Sequence, residues 1–222
     1  MNIPPKLKHL VVLSHPKADS FCGAVAEKYC SVVKDNGQAA NLRDLYRMRF
    51  DPVLRPEEQP SKQEFFQSPH VAYELSMVAE ASIIVLIYPI WFGTPPAMLK
   101  GYIERVLGSN FSYQAIHDRD AKSELAGKHL LSFTSSGNSQ IWLEEQGQWQ
   151  SLVQLFDRYL ERAFSMASSG HVHFSSIVEG LSERFFLQNM EEVRQIALSA
   201  CARAERQQQT SRGHADELKR VD

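Results

Sequence analysis

Three short stretches of the chain carry residue types that could grip a ligand. Ser14-His15-Pro16-Lys17-Ala18-Asp19-Ser20 combines hydroxyls, an imidazole and two helix-capping residues immediately before an amphipathic segment. A helix start offers free N–H groups and the positive end of its dipole, so this stretch is an anion site, and phosphate is the obvious anion. Pro89-Ile90-Trp91-Phe92-Gly93-Thr94 is aromatic and apolar where a loop is ordinarily polar, which costs solvation free energy unless something flat covers it. Thr134-Ser135-Ser136-Gly137-Asn138-Ser139 consists of small residues whose backbone amides can approach a ligand closely. Each stretch also has an ordinary explanation: helix caps, a wall packed under a neighbouring helix or partner subunit, and a surface turn.

Other candidates carry less. His171 and His173 share one face of a strand at i, i+2, but no further metal ligands accompany them, so they are read as strand residues. Cys22 lies near a helix start, where a thiol pKa can be lowered, although a small residue lining a turn is the commoner role. There is neither a G-x-G-x-x-G nor a P-loop pattern, which removes the usual dinucleotide and nucleotide fingerprints.

The elements that must position these stretches follow from periodicity. Residues 7–13 and 83–88 are unbroken apolar runs, as expected of strands buried on both faces of a parallel sheet. Residues 39–45 are a more polar strand, nearer an edge, and 129–133 and 171–177 are two further strands. A helix capped by Asp19 or Ser20 runs to Gly37 with Phe21, Val25, Tyr29, Val32 and Val33 on one face. Residues 46–60 hold three prolines and no clean period, which suits a surface excursion. Residues 61–81 read as two helical pieces broken by Pro69, with Val71, Leu75, Val78 and Ala79 inward. From Ala97 a helix buries Leu99, Tyr102, Ile103, Val106 and Leu107 and turns Lys100, Glu104 and Arg105 outward. A polar loop from Asn110 to Gly127 follows. A later helix carries Leu152, Phe156, Tyr159, Leu160 and Ala163, and the last carries Phe186, Met190, Val193, Ala197 and Ala200. The expected organisation is one domain over residues 1–203 and a polar, frayed tail over 204–222.

Strands alternating with helices give an α/β fold, a five-stranded doubly wound parallel sheet with helices on both faces. In the flavodoxin-like order 2-1-3-4-5 the loops after the first, third and fourth strands border one crevice. A phosphate grip, a flat apolar wall and an amide-rich loop meeting there describe a flavin mononucleotide pocket. Composition excludes other classes. With 24 basic against 26 acidic residues and a pI near 6.5, the chain has no positive surplus for nucleic acid or an anionic membrane. The longest apolar stretch, near residues 83–92, is about half of the ~20 residues a membrane span needs, and no signal-peptide pattern opens the chain. Cys22, Cys30 and Cys201 form no C-x-x-C, so neither a disulfide nor a structural metal is expected. The expected compartment is the cytoplasm.

These residues resemble the NAD(P)H:quinone oxidoreductases, the DT-diaphorase-like flavoproteins of flavodoxin fold. The matching pieces are Ser14-His15-Pro16 with Asp19-Ser20-Phe21, then Asp44-Leu45-Tyr46 with Phe50-Asp51-Pro52-Val53-Leu54. Pro89-Ile90-Trp91-Phe92 follows, with Pro96-Ala97-Met98-Leu99-Lys100-Gly101 and Glu104-Arg105-Val106. They span most of residues 10–140; beyond that the likeness is one of fold. The resemblance implies a homodimer with a flavin at each subunit interface and ping-pong chemistry, in which NADH or NADPH gives hydride and a quinone then takes two electrons. It implies that His15, Ser20, Phe21 and Cys22 hold the phosphate end, that Pro89, Ile90, Trp91 and Phe92 support the ring, and that Thr134, Ser135, Ser136 and Gly137 donate amides to its pyrimidine side.

The chain also departs from the family. Trp142 and Gln148 stand where animal members have a Tyr and a His that assist proton movement, and neither is a practical general acid. The Thr-Ser-Ser-Gly loop replaces Thr-Thr-Gly-Gly, which stiffens it. Without the long C-terminal extension that helps bind adenine, FMN is expected before FAD. Two other functions fit the same features: an ancillary regulatory subunit of a transporter or enzyme with little turnover, and an FMN azo- or nitro-reductase.

Overall fold

The computed structural model of the chain describes residues 7–59, 65–109, 111 and 123–218, the last eight as backbone only. Five parallel strands form one sheet: β1 (Lys8–Leu13), β2 (Ala39–Asp44), β3 (Ile83–Pro89), β4 (His129–Ser135) and β5 (Ser168–Phe174). Their order is β2-β1-β3-β4-β5, as the alternation of the sequence predicts. The helices are α1 (Phe21–Asp35), α2 (Pro69–Glu80), α3 (Ala97–Tyr102), α4 (Gln140–Glu145), α5 (Gln148–Leu152), α6 (Arg158–Ala163) and α7 (Glu183–Leu218).

The two apolar runs lie at the middle of the sheet, and their alternate residues serve opposite layers. Leu10, Val12, Ile84, Leu86 and Tyr88 pack with Val71, Val78, Leu99, Tyr102, Phe156 and Leu160. Val11, Leu13, Ile83, Val85 and Ile87 pack with Val25, Tyr29 and Val33 of α1 and Met190, Val193 and Ala197 of α7. Each such aliphatic side chain, fully buried, contributes about 1.5–3 kcal/mol. The register also positions the loops: Leu13 lies opposite Ile87, Pro89 opposite Ser135, and Ser135 opposite Phe174. Four strand ends therefore open onto one edge.

Several elements depart from expectation, each for a physical reason. Pro69 begins α2 rather than breaking a longer helix; at the first position its missing N–H costs nothing. Residues 60–64 and most of the 110–127 loop lie outside the described residues. On α2, Ala79 is exposed and Glu74 is buried instead, where Arg43 Nε donates to it at 3.0 Å and Tyr102 Oη at 3.2 Å. Arg105, expected outward, is 2 % exposed. Helix α3 runs on into a wider π-type turn, Ile103–Leu107, which lets the guanidinium turn in and donate to Glu58 at 2.8 Å and 2.6 Å. A second π-type turn, Val153–Asp157, joins α5 to α6 and leaves Tyr159 exposed. Strand β4 extends through Thr134 and Ser135, and β5 ends at Phe174 rather than Ile177. Finally, α7 continues through Leu218 across the residues expected to fray; Ala204 is buried, and Gln207 donates to Gly127 O at 2.6 Å.

One contact fixes α3 against the proline-rich excursion. A Cβ on Gly101 would lie 2.2 Å from Pro52 O and 2.5 Å from Pro52 Cα, both backbone atoms that cannot step aside alone. Gly101→Ala should therefore destabilise the fold by about 1–3 kcal/mol or more. Denaturant unfolding checks this, and an unchanged midpoint would show that the excursion yields freely.

Candidate functional site

The four strand ends surround a cleft of about 660 Å³, within the usual range for small-molecule sites. The loop after β1 forms one end. Ser14 N donates to Ile87 O at 2.9 Å, which ties the loop to β3 as it leaves the sheet. Ser20 caps α1, its Oγ accepting from Gly23 N at 3.1 Å. The next amide, Ala24 N, binds Ser20 O. The first helical amides, those of Phe21 and Cys22, have no acceptor within the helix, and both residues line the cleft. His15 Nδ1 lies 3.1 Å from Lys17 N and 3.2 Å from Lys17 O, which ties the ring to its own loop through that nitrogen. Burial lowers the His15 pKa. Ser14 does not line the cleft; its Oγ is buried with no partner among the described residues.

Cys22 contributes backbone only. Its thiol turns inward to Ser135 Oγ at 3.3 Å, and burial pushes its pKa up to about 11, the opposite of the lowering that a helix start can produce.

The wall is shorter than expected. Pro89, Ile90 and Trp91 line the cleft, and Ile90 N donates to Ser135 O at 2.8 Å. Beyond them the chain reverses tightly: Trp91 N binds Thr94 O at 3.0 Å and Thr94 N binds Trp91 O at 3.1 Å. The two residues between have φ of 50° and 78°. Glycine adopts this conformation freely, so Gly93 suits its place, whereas Phe92 is strained there. Phe92 consequently points into solvent, fully exposed, and is not part of the cleft lining.

The third loop divides in the same way. Ser135, Ser136 and Gly137 line the cleft, whereas Thr134 is 1 % exposed and faces β5. The Ser136 amide is committed to Phe174 O at 3.0 Å, so Ser136 offers its hydroxyl rather than its N–H. A Cβ on Gly137 would meet Ile177 O at 3.8 Å and Val178 at 3.9 Å, ordinary contact distances, so the space around it does not itself demand glycine. Trp142 and Gln148 lie outside the lining; Trp142 N donates to Ser139 Oγ at 3.2 Å, and Gln148 borders a small recess behind Ile90.

A fourth wall lies beyond the three stretches that the sequence singles out. Ile177, Val178, Glu179, Gly180 and Leu181, with Phe186 of α7, close the far side. Ser176 N binds Asn138 O and Ile177 N binds Ser136 O, both at 2.9 Å, so this loop is clipped to the third. The available signal was Glu179-Gly180 ahead of Ser182, whose Oγ accepts from Phe185 N at 3.3 Å as α7 starts. Phe21 packs edge-on against Phe174 and Phe186 and joins this wall to α1. Among the described residues no group of three metal-ligating side chains is assembled.

Comparison with known proteins agrees with this fold. A family model described as flavodoxin-like fold matches residues 7–210. A Haemophilus influenzae protein named as an uncharacterized NAD(P)H oxidoreductase is 31 % identical over 147 residues, which is 66 % of this chain and 72 % of that one. The rat NAD(P)H dehydrogenase [quinone] 1 is 30 % identical over 151 residues, covering 60 % of this chain and 55 % of the rat enzyme. Among solved structures, the NAD(P)H:quinone oxidoreductase from Methanothermobacter marburgensis superposes with a TM-score of 0.72 at 20 % identity, over 86 % of this chain and 94 % of that one.

Proposed function

The chain belongs to the flavodoxin-like family, and from that premise we propose that its cleft holds FMN and reduces quinone-type acceptors with an electron pair from NADH or NADPH. The observation that carries this is the union, in one cleft, of an anion-binding helix start, a flat apolar wall and a hydroxyl-bearing loop. The residues fit such a group. At one end, Phe21 N, Cys22 N, the His15 imidazole and the Ser20 hydroxyl supply polar hydrogens for a phosphate. Along the middle, Pro89, Ile90 and Trp91 offer apolar surface to a ring. At the other end, Ser136 Oγ and the space left by Gly137 receive a polar ring edge. A bound flavin supplies the hydride-carrying ring, and the protein contributes position, dryness and hydrogen bonds.

Further parts of the reading are proposals of the same kind. A second copy of the chain would cover the strained, fully exposed Phe92 and the adjoining apolar groove of Pro95, Leu152, Leu155 and Phe156, which supports a homodimer with the cleft at its edge. No helix among the described residues is long and apolar enough to cross a membrane. Cys22, Cys30 and Cys201 are buried and free, which suits the reducing cytoplasm.

Anaerobic titration of the FMN-loaded protein with NADH and NADPH, followed by quinones, azo dyes and nitroaromatics, tests the proposal. Bleaching by a nicotinamide and reoxidation by quinones is the expected result. A protein that binds neither FMN nor FAD would overturn it, and preferential reoxidation by azo dyes would move it to the azoreductase alternative.

A further inference from the structure

Behind the floor of the cleft, β4 and β5 carry a line of polar side chains whose hydrogen bonds run in one direction. Asp157 lies on the π-type turn between α5 and α6, its side chain 1 % exposed, and the His171 side chain is 4 % exposed. His171 Nδ1 is 2.5 Å from Asp157 Oδ2. His171 Nε2 is 2.7 Å from Thr134 Oγ1, and Thr134 Oγ1 is 2.9 Å from His173 Nδ1. His173 Nε2 is 3.1 Å from Ser136 Oγ, and Ser136 lines the cleft.

The polarity of this line follows from its buried end. A carboxylate only accepts, so His171 Nδ1 carries a hydrogen and its Nε2 is bare. Thr134 then donates to His171 and accepts from His173 Nδ1. That leaves His173 Nε2 bare, to accept from the Ser136 hydroxyl at 3.1 Å, a shorter contact than the one the same hydroxyl makes to Asn138 O at 3.3 Å. Two backbone carbonyls also face the line, Asn138 O at 3.3 Å from Ser136 Oγ and Val172 O at 3.5 Å from Thr134 Oγ1, both longer than the contacts along it. Ser132 Oγ donates to the second oxygen of Asp157 at 2.5 Å. Tyr88, on β3, also faces Asp157 and stays protonated because burial raises its pKa well above the ordinary value. Trp149 of α5 covers both imidazoles, with ring centroids 4.8 Å and 5.5 Å away. Glu161, further along, is held by Ser169 and by Arg158 at 2.9 Å. Burial, with His171 beside it, pushes the His173 pKa down to about 4, so His173 rests neutral and passes a proton on.

We propose that Asp157, His171, Thr134, His173 and Ser136 form a proton relay that serves an acceptor bound in the cleft. The inference rests on the reductase reading above. A nicotinamide hydride brings two electrons and one proton, and a quinone needs one more proton to become the hydroquinone: NAD(P)H + H⁺ + quinone gives NAD(P)⁺ + hydroquinone. An excess proton entering the line turns each link round, with the Asp157 carboxylate at its far end. Its release moves one hydrogen at each link: His171 Nε2–H to Thr134, Thr134 to His173 Nδ1, His173 Nε2–H to Ser136, and the Ser136 hydroxyl hydrogen to the acceptor. Water reaching the cleft after product leaves refills the line from the same mouth. The relay would perform the proton movement that Trp142 and Gln148 cannot. Asp157, His171, Thr134 and His173 are positioning and transfer groups; only Ser136 touches the cleft.

Thr134→Val breaks the line at its centre while keeping side-chain shape, and Thr134→Ser restores the hydroxyl. Two measurements test the proposal. In the flavin-free protein, ¹⁵N resonances of the histidines should show a bare Nε2 on His173 in the wild type and in Thr134→Ser, and a protonated Nε2 in Thr134→Val. In the loaded protein, stopped-flow mixing should show the quinone half-reaction slowed at least about tenfold relative to the nicotinamide half-reaction in Thr134→Val, with recovery in Thr134→Ser. A protonated His173 Nε2 in the wild type, or equal quinone half-reactions in wild type and Thr134→Val, would overturn the relay. A wild type that accepts no hydride would overturn the reductase reading and the relay's service with it, while the imidazole resonances still report whether the hydrogen-bonded line exists.

Discussion

Ser20→Asp should weaken FMN binding by about 100- to 1,000-fold and leave riboflavin binding and the melting temperature nearly unchanged. Aspartate caps a helix as well as serine does, so α1 keeps its start and Gly23 N keeps an acceptor. What changes is the charge facing the anion. Two unit charges about 4 Å apart repel by about 4 kcal/mol at an effective dielectric of 20, and a phosphate monoester carries roughly −1.5 to −2 charges. Solvent screening at the open cleft removes part of this, and what is left exceeds the 1.4 kcal/mol that each factor of ten requires. Fluorescence titration of the flavin-free protein with both ligands checks it. Equal losses for FMN and riboflavin would mean that the helix start had been damaged, and no loss for either would move the phosphate elsewhere.

Arg105→Ala should destabilise the protein by about 3–5 kcal/mol, because it leaves the Glu58 carboxylate buried without its partner. For a chain of this size that is a fall of roughly 6–20 °C in melting temperature. The guanidinium also donates to Asp51 O, lies 3.4 Å from Ser68 Oγ and sits 5.6 Å from the centre of the Phe50 ring. One side chain thus gathers the start of the proline-rich excursion, its 3₁₀ turn at Pro56–Glu58 and the entry to α2. The pair also sets a pH dependence. Hydrogen bonds from Arg105 hold the Glu58 carboxyl below its ordinary range. The stabilisation is therefore complete above about pH 4.3, the ordinary glutamate value, and is lost as pH falls through the lower folded value. Wild-type melting temperature should drop across that acid range, and the drop should be smaller in Arg105→Ala. A parallel acid profile for the two proteins would show that Glu58 has another cationic partner.

How far the sequence disclosed this structure depends on whether the determining contact is local. Periodicity alone placed β1, β3 and α1, because an apolar run between turn residues has few other uses. The flavodoxin-like strand order, which comes from the fold class and not from periodicity, brings the loops after β1, β3 and β4 to one edge. The failures share a cause. Arg105 was assigned to the solvent face because a regular helix puts it there, yet the π-type turn and a carboxylate 47 positions earlier turn it inward. The resemblance assigns Thr134 to the ring's pyrimidine side, but Thr134 still belongs to β4 and its hydroxyl is taken up by His171 and His173 of β5. The Ile177–Leu181 wall went unnoticed because Ser175-Ser176-Ile177 continues the strand pattern and only the backbone link to Asn138 shows that the strand has ended. The pairing of His171 and His173 on one face was legible; Asp157 was not, since a residue on a π-type turn carries no periodic signature.

The clip between the last two loops has a consequence for how this pocket can change. Ser176 and Ile177 hold their positions through main-chain amides, so the neighbouring side chains Val178, Glu179 and Leu181 are set in place without having to supply the fastening themselves. They are interchangeable parts on a fixed mount. A graft of different residues there could retune which molecules are admitted, with the sheet and its buried ion pairs undisturbed, so that new selectivity and old durability would be inherited separately.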